Sequence, residues 1–333
     1  MSMMDTDDYS AKLRAKAINV AERKLLITRL AGSNQEKDIS EPTNCNGFGR
    51  VRHFRRATSA GWPENPLPID PACARLGFAR SDILRAQVFQ NSACNWRCWY
   101  CYVPFELLAA NRKKGAFLSP KDMVDLYQKT ENRPQVIDLS GGQPDLTPEW
   151  IPWMMEELRA HGLDTETYLW SDDNLSNDYF WRFLSDQQIK TIQGFPNYGK
   201  VCCFKGFDSE SFAFNTSAAP ELFDRQFKLF QRYLEIGIDL YGYATFTSPN
   251  DANIEEAMKV FVDRLQQLHP NVPLRTIPLE IKTIFSATQH RTRQIHEIAI
   301  RNQQTAIMCW NQELKNRFPE SARKAPIYEI SIT

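Results

Sequence analysis

The chain has 333 residues, 42% of them hydrophobic, enough for one sizeable core of a single α/β barrel. Lys and Arg number 40 and so do Asp and Glu, which removes any global pull toward nucleic acid or acidic membranes. The opening MSMMDTDDYS has no basic lead and no apolar stretch, and no apolar run is long enough to span a bilayer. The expectation is a soluble cytoplasmic protein whose eight cysteines stay reduced.

In residues 9–31, Leu13, Ala17, Val20 and Ile27 recur at roughly helical spacing and predict one helix ending near Gly32. Arg50, Arg52, His53, Arg55 and Arg56 then crowd together. They read either as an anion or nucleic-acid contact or as a solvated basic face, which the neutral whole favours. Pro63, Pro66, Pro68 and Pro71 predict an extended, ordered strap wrapping a barrel rather than a helix. From Ile83 onward strand-like and helix-like segments alternate, as in a parallel sheet with crossover helices. Strands are expected at 84–90, 135–139, 165–171, 200–206, 239–247 and 278–285. Helices are expected from Pro120, capped by Ser119, and from Pro148, capped by Thr147, then at 177–185, 220–235, 253–268 and 291–316. The chain divides as 1–82 (N-terminal helix and strap packed on the barrel), 83–290 (core) and 291–333 (C-terminal helical cap).

The chemistry gathers in Asn91-Ser-Ala-Cys-Asn-Trp-Arg-Cys-Trp-Tyr-Cys-Tyr102, where a strand gives way to a loop. Cys94, Cys98 and Cys101 are spaced C-x3-C-x2-C with no fourth cysteine nearby. Three thiolates in that pattern fit an iron–sulfur cluster with one iron left open to a small molecule. Zinc is the alternative, but it prefers four ligands from paired units, and His53, His161, His269, His290 and His296 all lie far off in sequence. About forty residues on, Val136-Ile-Asp-Leu-Ser runs into the pair Gly141-Gly142.

Together the two segments resemble the radical S-adenosylmethionine (SAM) superfamily over roughly residues 83–285. That family has an aromatic residue before the third cysteine, here Tyr100, and a GGEP-like turn, here Gly141-Gly142-Gln143-Pro144 with Gln in place of the commoner Glu. The resemblance implies a partial (β/α)6 barrel, extended by the N-terminal helix and strap and the C-terminal helix. It implies a 4Fe–4S cluster on Cys94, Cys98 and Cys101, and SAM held beside Tyr100, Ser140, Gly141, Gly142 and Gln143. Polar residues ending the third and fourth strands, here Asp172, Asn174 and Lys205, commonly hold its ribose and carboxylate. The implied activity is reductive SAM cleavage to a 5′-deoxyadenosyl radical that takes hydrogen from a substrate, fed by an electron donor such as flavodoxin or ferredoxin. A second resemblance, over Lys205–Gln226, is to microbial radical SAM proteins of unassigned substrate and to the lysine after strand four in glycyl-radical-enzyme activases.

Strand alternation sorts Asp138 with Ser140, Tyr241 and Tyr243 with Thr245, and Glu280 with Lys282 onto the barrel's inner face. Structural barrel interiors are apolar, so Tyr243, Glu280 and Lys282 are candidate contacts for a small polar substrate, nucleotide- or cofactor-like. A Glu280–Lys282 pair satisfying itself is the other reading. A protein glycyl site would make the chain an activase, against which stand some ninety residues before the cysteine motif. A non-enzymatic zinc or nucleic-acid module is the alternative of another class. Cys45, Cys73, Cys202, Cys203 and Cys309 form no pattern and read as structural thiols, Cys202 and Cys203 facing opposite ways. In this reading Gln143→Glu is tolerated, and Val at Gly141 or Gly142 weakens SAM binding while sparing the cluster.

Overall fold

The computed structural model describes residues 5–332; residues 1–4 of the opening MSMMDTDDYS lie outside them. Ten strands occur in chain order: β1 (Ile18–Asn19), β2 (Lys24–Thr28), β3 (Gly49–Arg55), β4 (Ile83–Gln90), β5 (Gly115–Leu118), β6 (Val136–Ser140), β7 (Tyr168–Asp173), β8 (Tyr198–Phe204), β9 (Leu240–Thr245) and β10 (Thr276–Leu279). The main sheet runs β10-β9-β8-β7-β6-β4-β3, an open half-barrel. Its six strands from β4 to β10 are parallel, and β3 lies antiparallel on β4. Helices Pro120–Gln128, Trp150–Ala160, Asp186–Gln193, Phe223–Ile236 and Ile254–Leu268 join successive parallel strands, and Gln294–Arg317 follows β10. Covered on both faces, these strands are largely buried, polar residues included.

The outer face meets the helices. Ile137, Leu139, Leu169, Cys202, Phe204 and Ala244 pack there against Phe227, Phe230 and Phe261. The inner face forms a second core of Val136, Tyr168, Trp170, Val201, Cys203, Tyr241 and Tyr243, filled from within by Leu67, Ile69, Ala72 and Cys73. Cys202 and Cys203 do face opposite ways, and Cys45, Cys73, Cys202 and Cys203 are buried free thiols while Cys309 is half-buried.

Four local expectations are corrected. The helix expected over 9–31 ends at Ala17, where the chain turns through Val20–Arg23 into β2. Leu25, Leu26 and Ile27 are all buried because β2 packs on both faces, which erases the alternation that marks a strand. The proline strap is not extended throughout: Ile69–Leu76 is a helix with Pro71 in its first turn, where no N–H donor is needed. Thr147 does not cap the next helix, which starts at Trp150; its hydroxyl accepts the Asn91 amide at 3.0 Å. The last barrel strand ends at Leu279, and its register puts Ile277 beside Tyr243 and Leu279 beside Thr245. The inner face of β10 is therefore Ile277 and Leu279, and the two faces expected there are exchanged.

The segment after β3 crosses to the far edge of the sheet. Trp62 donates its indole N–H to the Pro278 carbonyl at 3.0 Å, and the Ser59 N–H reaches the Glu280 carboxylate at 3.2 Å. The basic stretch is thereby divided. Arg50 and Arg52 turn inward, Arg56 is buried against Asp70, and Arg55 faces solvent.

Candidate functional site

The C-terminal ends of the parallel strands carry the working residues of such barrels. Here the end of β4 opens into the cysteine loop, which is tied down at many points. Asn91 N–H donates to the Ser140 carbonyl at 3.1 Å, Cys94 N–H to Leu108 at 3.0 Å, and Arg97 N–H to Thr216 at 3.1 Å. Trp96 and Trp99 are buried, Trp99 stacking on His296 with ring centres 4.5 Å apart. Arg291, just before the long C-terminal helix, donates to the Cys101 and Val103 carbonyls at 2.5 and 2.8 Å.

Cys94, Cys98 and Cys101 are half-buried free thiols. Burial pushes Cys98 up to about 12, with Lys205 pulling down and Cys94 and Cys101 adding to the rise. Among the described residues no three His, Cys, Asp or Glu side chains are already arranged to hold a metal. Three sulfur donors on one loop, apolar contacts from Val103, Leu107 and Leu108, and the Asn174 amide 3.9 Å from the Cys94 sulfur fit an iron–sulfur group. A hard cation wants oxygen donors.

The glycine turn lies against this loop. Gln143 N–H donates to the Ala93 carbonyl at 2.7 Å. A Cβ on Gly142 would stand 2.3 Å from the Ala93 carbonyl oxygen and 2.5 Å from that of Asn91. Gly141 has φ +90°, and a Cβ there would meet Gln90 at 2.4 Å. Gln143 is buried; its amide nitrogen donates to Asp173 at 2.6 Å and its oxygen accepts the Asn174 N–H at 2.9 Å. A carboxylate cannot make the first of these bonds. Gln143→Glu is therefore expected to loosen the turn, against the tolerance read from the family pattern, because two carboxylates would meet at hydrogen-bond distance. Protonating the new side chain restores a donor. Urea stability of that variant should recover toward wild type as pH falls, and a pH-independent stability equal to wild type would refute the expectation.

Inside the mouth, Tyr100 and Thr245 share a 3.2 Å hydroxyl contact, and the Arg52 guanidinium lies 3.3 Å from Asp138. Burial, together with the Asp172 charge, pushes Asp138 up to about 7 despite Arg52 and Arg50. Burial likewise raises Asp172, against the pull of Arg52 and a hydrogen bond with Ser140. Arg52 retains 32% of its side-chain exposure although it turns into the barrel. The structure brings Tyr100, Ser140, Gly141, Gly142, Gln143, Asp172, Asn174 and Lys205 together with the three cysteines at the ends of β4, β6, β7 and β8. Tyr243 sits deeper, its hydroxyl donating to the Leu67 carbonyl at 3.2 Å. Glu280 and Lys282 lie beyond β10, 2.9 Å apart, with Glu280 also taking the Ser59 N–H. Burial raises Glu280, but Ser59 and Lys282 outweigh it and leave the carboxyl below its usual range.

Sequence reading missed Arg50 and Arg52 as part of this site. The signal was present: Arg50, Arg52 and Phe54 alternate with Val51 and His53, so one strand face carries both guanidinium groups. At the opposite end of the barrel a groove of about 770 Å³ lies between Arg56, Phe78, Ile277 and the stretch Arg323–Ile330.

No protein-family model matches the chain, and no curated protein matches it. Among solved structures, SuiB from Streptococcus suis bound to S-adenosylmethionine is similar over 53% of this chain and 37% of its own, at 16% identity and TM-score 0.38. SuiB bound to the precursor peptide SuiA aligns over 53% and 36%, at 17% identity and TM-score 0.37. The chain thus spans little more than a third of SuiB. No helix among the described residues is long and apolar enough to cross a membrane.

Proposed function

We propose that the chain is a radical SAM enzyme acting on a small polar substrate held in the barrel mouth. One observation carries this: the C-x3-C-x2-C loop after β4 and the Gly-Gly-Gln-Pro turn after β6 pack directly on each other, at the end of a parallel half-barrel where reacting groups gather. Cys94, Cys98 and Cys101 would hold a 4Fe–4S cluster, which when bound supplies the electron for reductive SAM cleavage and the open iron that SAM chelates. Tyr100, Ser140, the Gly141–Gln143 backbone, Asp172, Asn174 and Lys205 would position SAM. Trp96 and Trp99 keep water from the loop. Tyr243, Glu280 and Lys282 would act at one remove. They anchor the segment that crosses the barrel from β3 to β10, so their substitution should change substrate turnover more than SAM binding.

Protein prepared without oxygen is expected to be brown, to hold about four irons per chain, and to change its EPR signal when SAM is added. Replacing Cys94, Cys98 and Cys101 by Ala should remove the iron. Zinc without iron and sulfide, or iron that depends on Cys202, Cys203 or Cys309 instead, would overturn the proposal.

A further inference from the structure

The half-barrel interior holds a buried arginine that, among the described residues, no carboxylate pairs directly. Arg50, on β3, is 8% exposed and faces the same interior as Asp138 and Ser140. Its guanidinium donates to the Tyr102 hydroxyl at 3.1 Å and lies over that ring at 5.5 Å, and its buried Nε has no partner. Among the described residues no carboxylate forms an ion pair with it, whereas Arg52 one pleat away has Asp138. A guanidinium taken out of water needs an anion or a full set of acceptors, and Arg50 has one hydroxyl. The shortfall extends to its neighbours. Asp138 is fully buried, with Oδ2 on Arg52 and Oδ1 unpartnered, and the Gln90 side-chain oxygen on the same face is also buried and unpartnered. An empty donor thus stands beside two empty acceptors, next to the exposed part of Arg52. That is the imprint of a ligand bearing an anion and a hydrogen-bond donor together. Leu67, Ile69, Ala72 and Cys73 pack with Trp170 and Tyr243 in the same interior, which favours a small ligand.

Resting on the reading of the chain as a radical SAM enzyme, we infer that Arg50 and Arg52 clamp the anionic group of the substrate, a carboxylate or phosphate of a small molecule, while Asp138 and Gln90 accept hydrogen bonds from a hydroxyl or amino group beside it. β3 is not one of the six parallel strands, so the clamp comes from outside the segments that carry the cysteines and the glycine turn. Planar forked donors suit such groups, and Lys is a poor replacement.

The test is isothermal titration of the anaerobic, iron-loaded full chain with SAM present, using sodium acetate and inorganic phosphate as separate probes. At least one probe is expected to bind wild type, and the tighter of the two names the anion. Arg50→Gln and Arg52→Gln should each weaken that binding tenfold or more, Arg50→Lys by an intermediate factor, and Arg80→Gln at the far end of the barrel not at all. Iron content and SAM affinity should stay at wild-type values. Should Arg50→Gln not fold, Arg50→Lys decides, because it keeps the charge and loses only the fork. No binding of either probe to wild type, or equal binding in all variants, overturns the clamp. Loss of SAM affinity in step with the probe also overturns it, since the arginines would then serve SAM. The wider reading fails separately. If wild type takes up no iron and binds no SAM while the arginine-dependent anion binding persists, the clamp stands and the radical chemistry does not.

Discussion

Replacing Lys200 by Met is expected to cost about 3–5 kcal/mol of stability, the usual penalty for removing one partner of a buried pair. Lys200 and Asp145 are both fully buried, 2.9 Å apart, with the Tyr233 hydroxyl also on the carboxylate. Asp145 directly follows the glycine turn, so the pair links that turn to β8 and to helix Phe223–Ile236. Without the ammonium the carboxylate keeps one hydroxyl and no counter-charge. Burial already pushes Asp145 up to about 7, against the downward pull of Lys200, and losing that pull raises it further. A carboxyl whose folded pKa exceeds its unfolded one binds its proton more tightly when folded. Stability is then greatest at low pH and is lost as pH rises toward the folded pKa. Wild type shares that loss up to about pH 7, so the deficit of Lys200→Met should grow as pH rises above about 7, where wild-type Asp145 has given up its proton and the variant's has not. Urea denaturation at several pH values checks this. The double variant Lys200→Met, Asp145→Asn should recover part of the loss by removing the stranded charge. A pH-independent deficit below about 1 kcal/mol would mean the pair is not buried as described.

If the chain holds the proposed cluster, the second large effect is expected at Gly142, where a single methyl should cost most of the iron taken up. The position has ordinary backbone angles, so strain is not the reason. The obstacle is the two carbonyl oxygens of Asn91 and Ala93, at 2.5 and 2.3 Å from the new carbon. Neither is a side chain that can swing aside, and Cys94 is the next residue. The loop must move outward, and the three thiols move with it. This departs from the sequence-based expectation that a side chain here would spare the cluster and block only SAM. Gly194→Ala is the control, since it meets a single carbonyl at 3.3 Å far from the loop. Iron and sulfide per chain, measured on both variants after the same anaerobic reconstitution, decide the matter. Full iron in Gly142→Ala would show that the loop and turn are not locked together.

How much of this could be read beforehand depended on whether the signal was local. The cysteine spacing and the glycine turn are short motifs, and the six parallel strands announced themselves through alternation with helices. The Ser119 cap ahead of Pro120 was legible from two adjacent residues, and the structure adds Asp122 to it as a capping box. The failures share one cause, the pairing of distant segments. β2 looked helical because it is packed on both faces and its partner strand β5 lies some ninety residues later. The inner face of β10 was misassigned because polarity was taken to mark it, whereas the pairing with β9 puts Ile277 beside Tyr243 and Leu279 beside Thr245. Arg50 and Arg52 looked like a solvated stripe until β3 was laid on β4, which turns them into the barrel. Gln143 looked like a neutral variation on Glu until Asp173 was placed beside it.

The crossing from β3 to β10 also bears on the order in which the molecule can assemble. Trp62 meets Pro278 across 216 positions, and Ser59 meets Glu280 across 221. On a chain emerging from the ribosome, residues 59–62 must wait until most of the protein has been synthesised before their partners exist. Contacts of such long sequence separation form late and slowly, because the loop entropy is lost before the contact rewards it. The cysteine loop and the glycine turn, by contrast, need only about fifty residues between them. The nascent protein should therefore present its thiols on a formed loop while the barrel is still unfastened along one side, and be sealed there last.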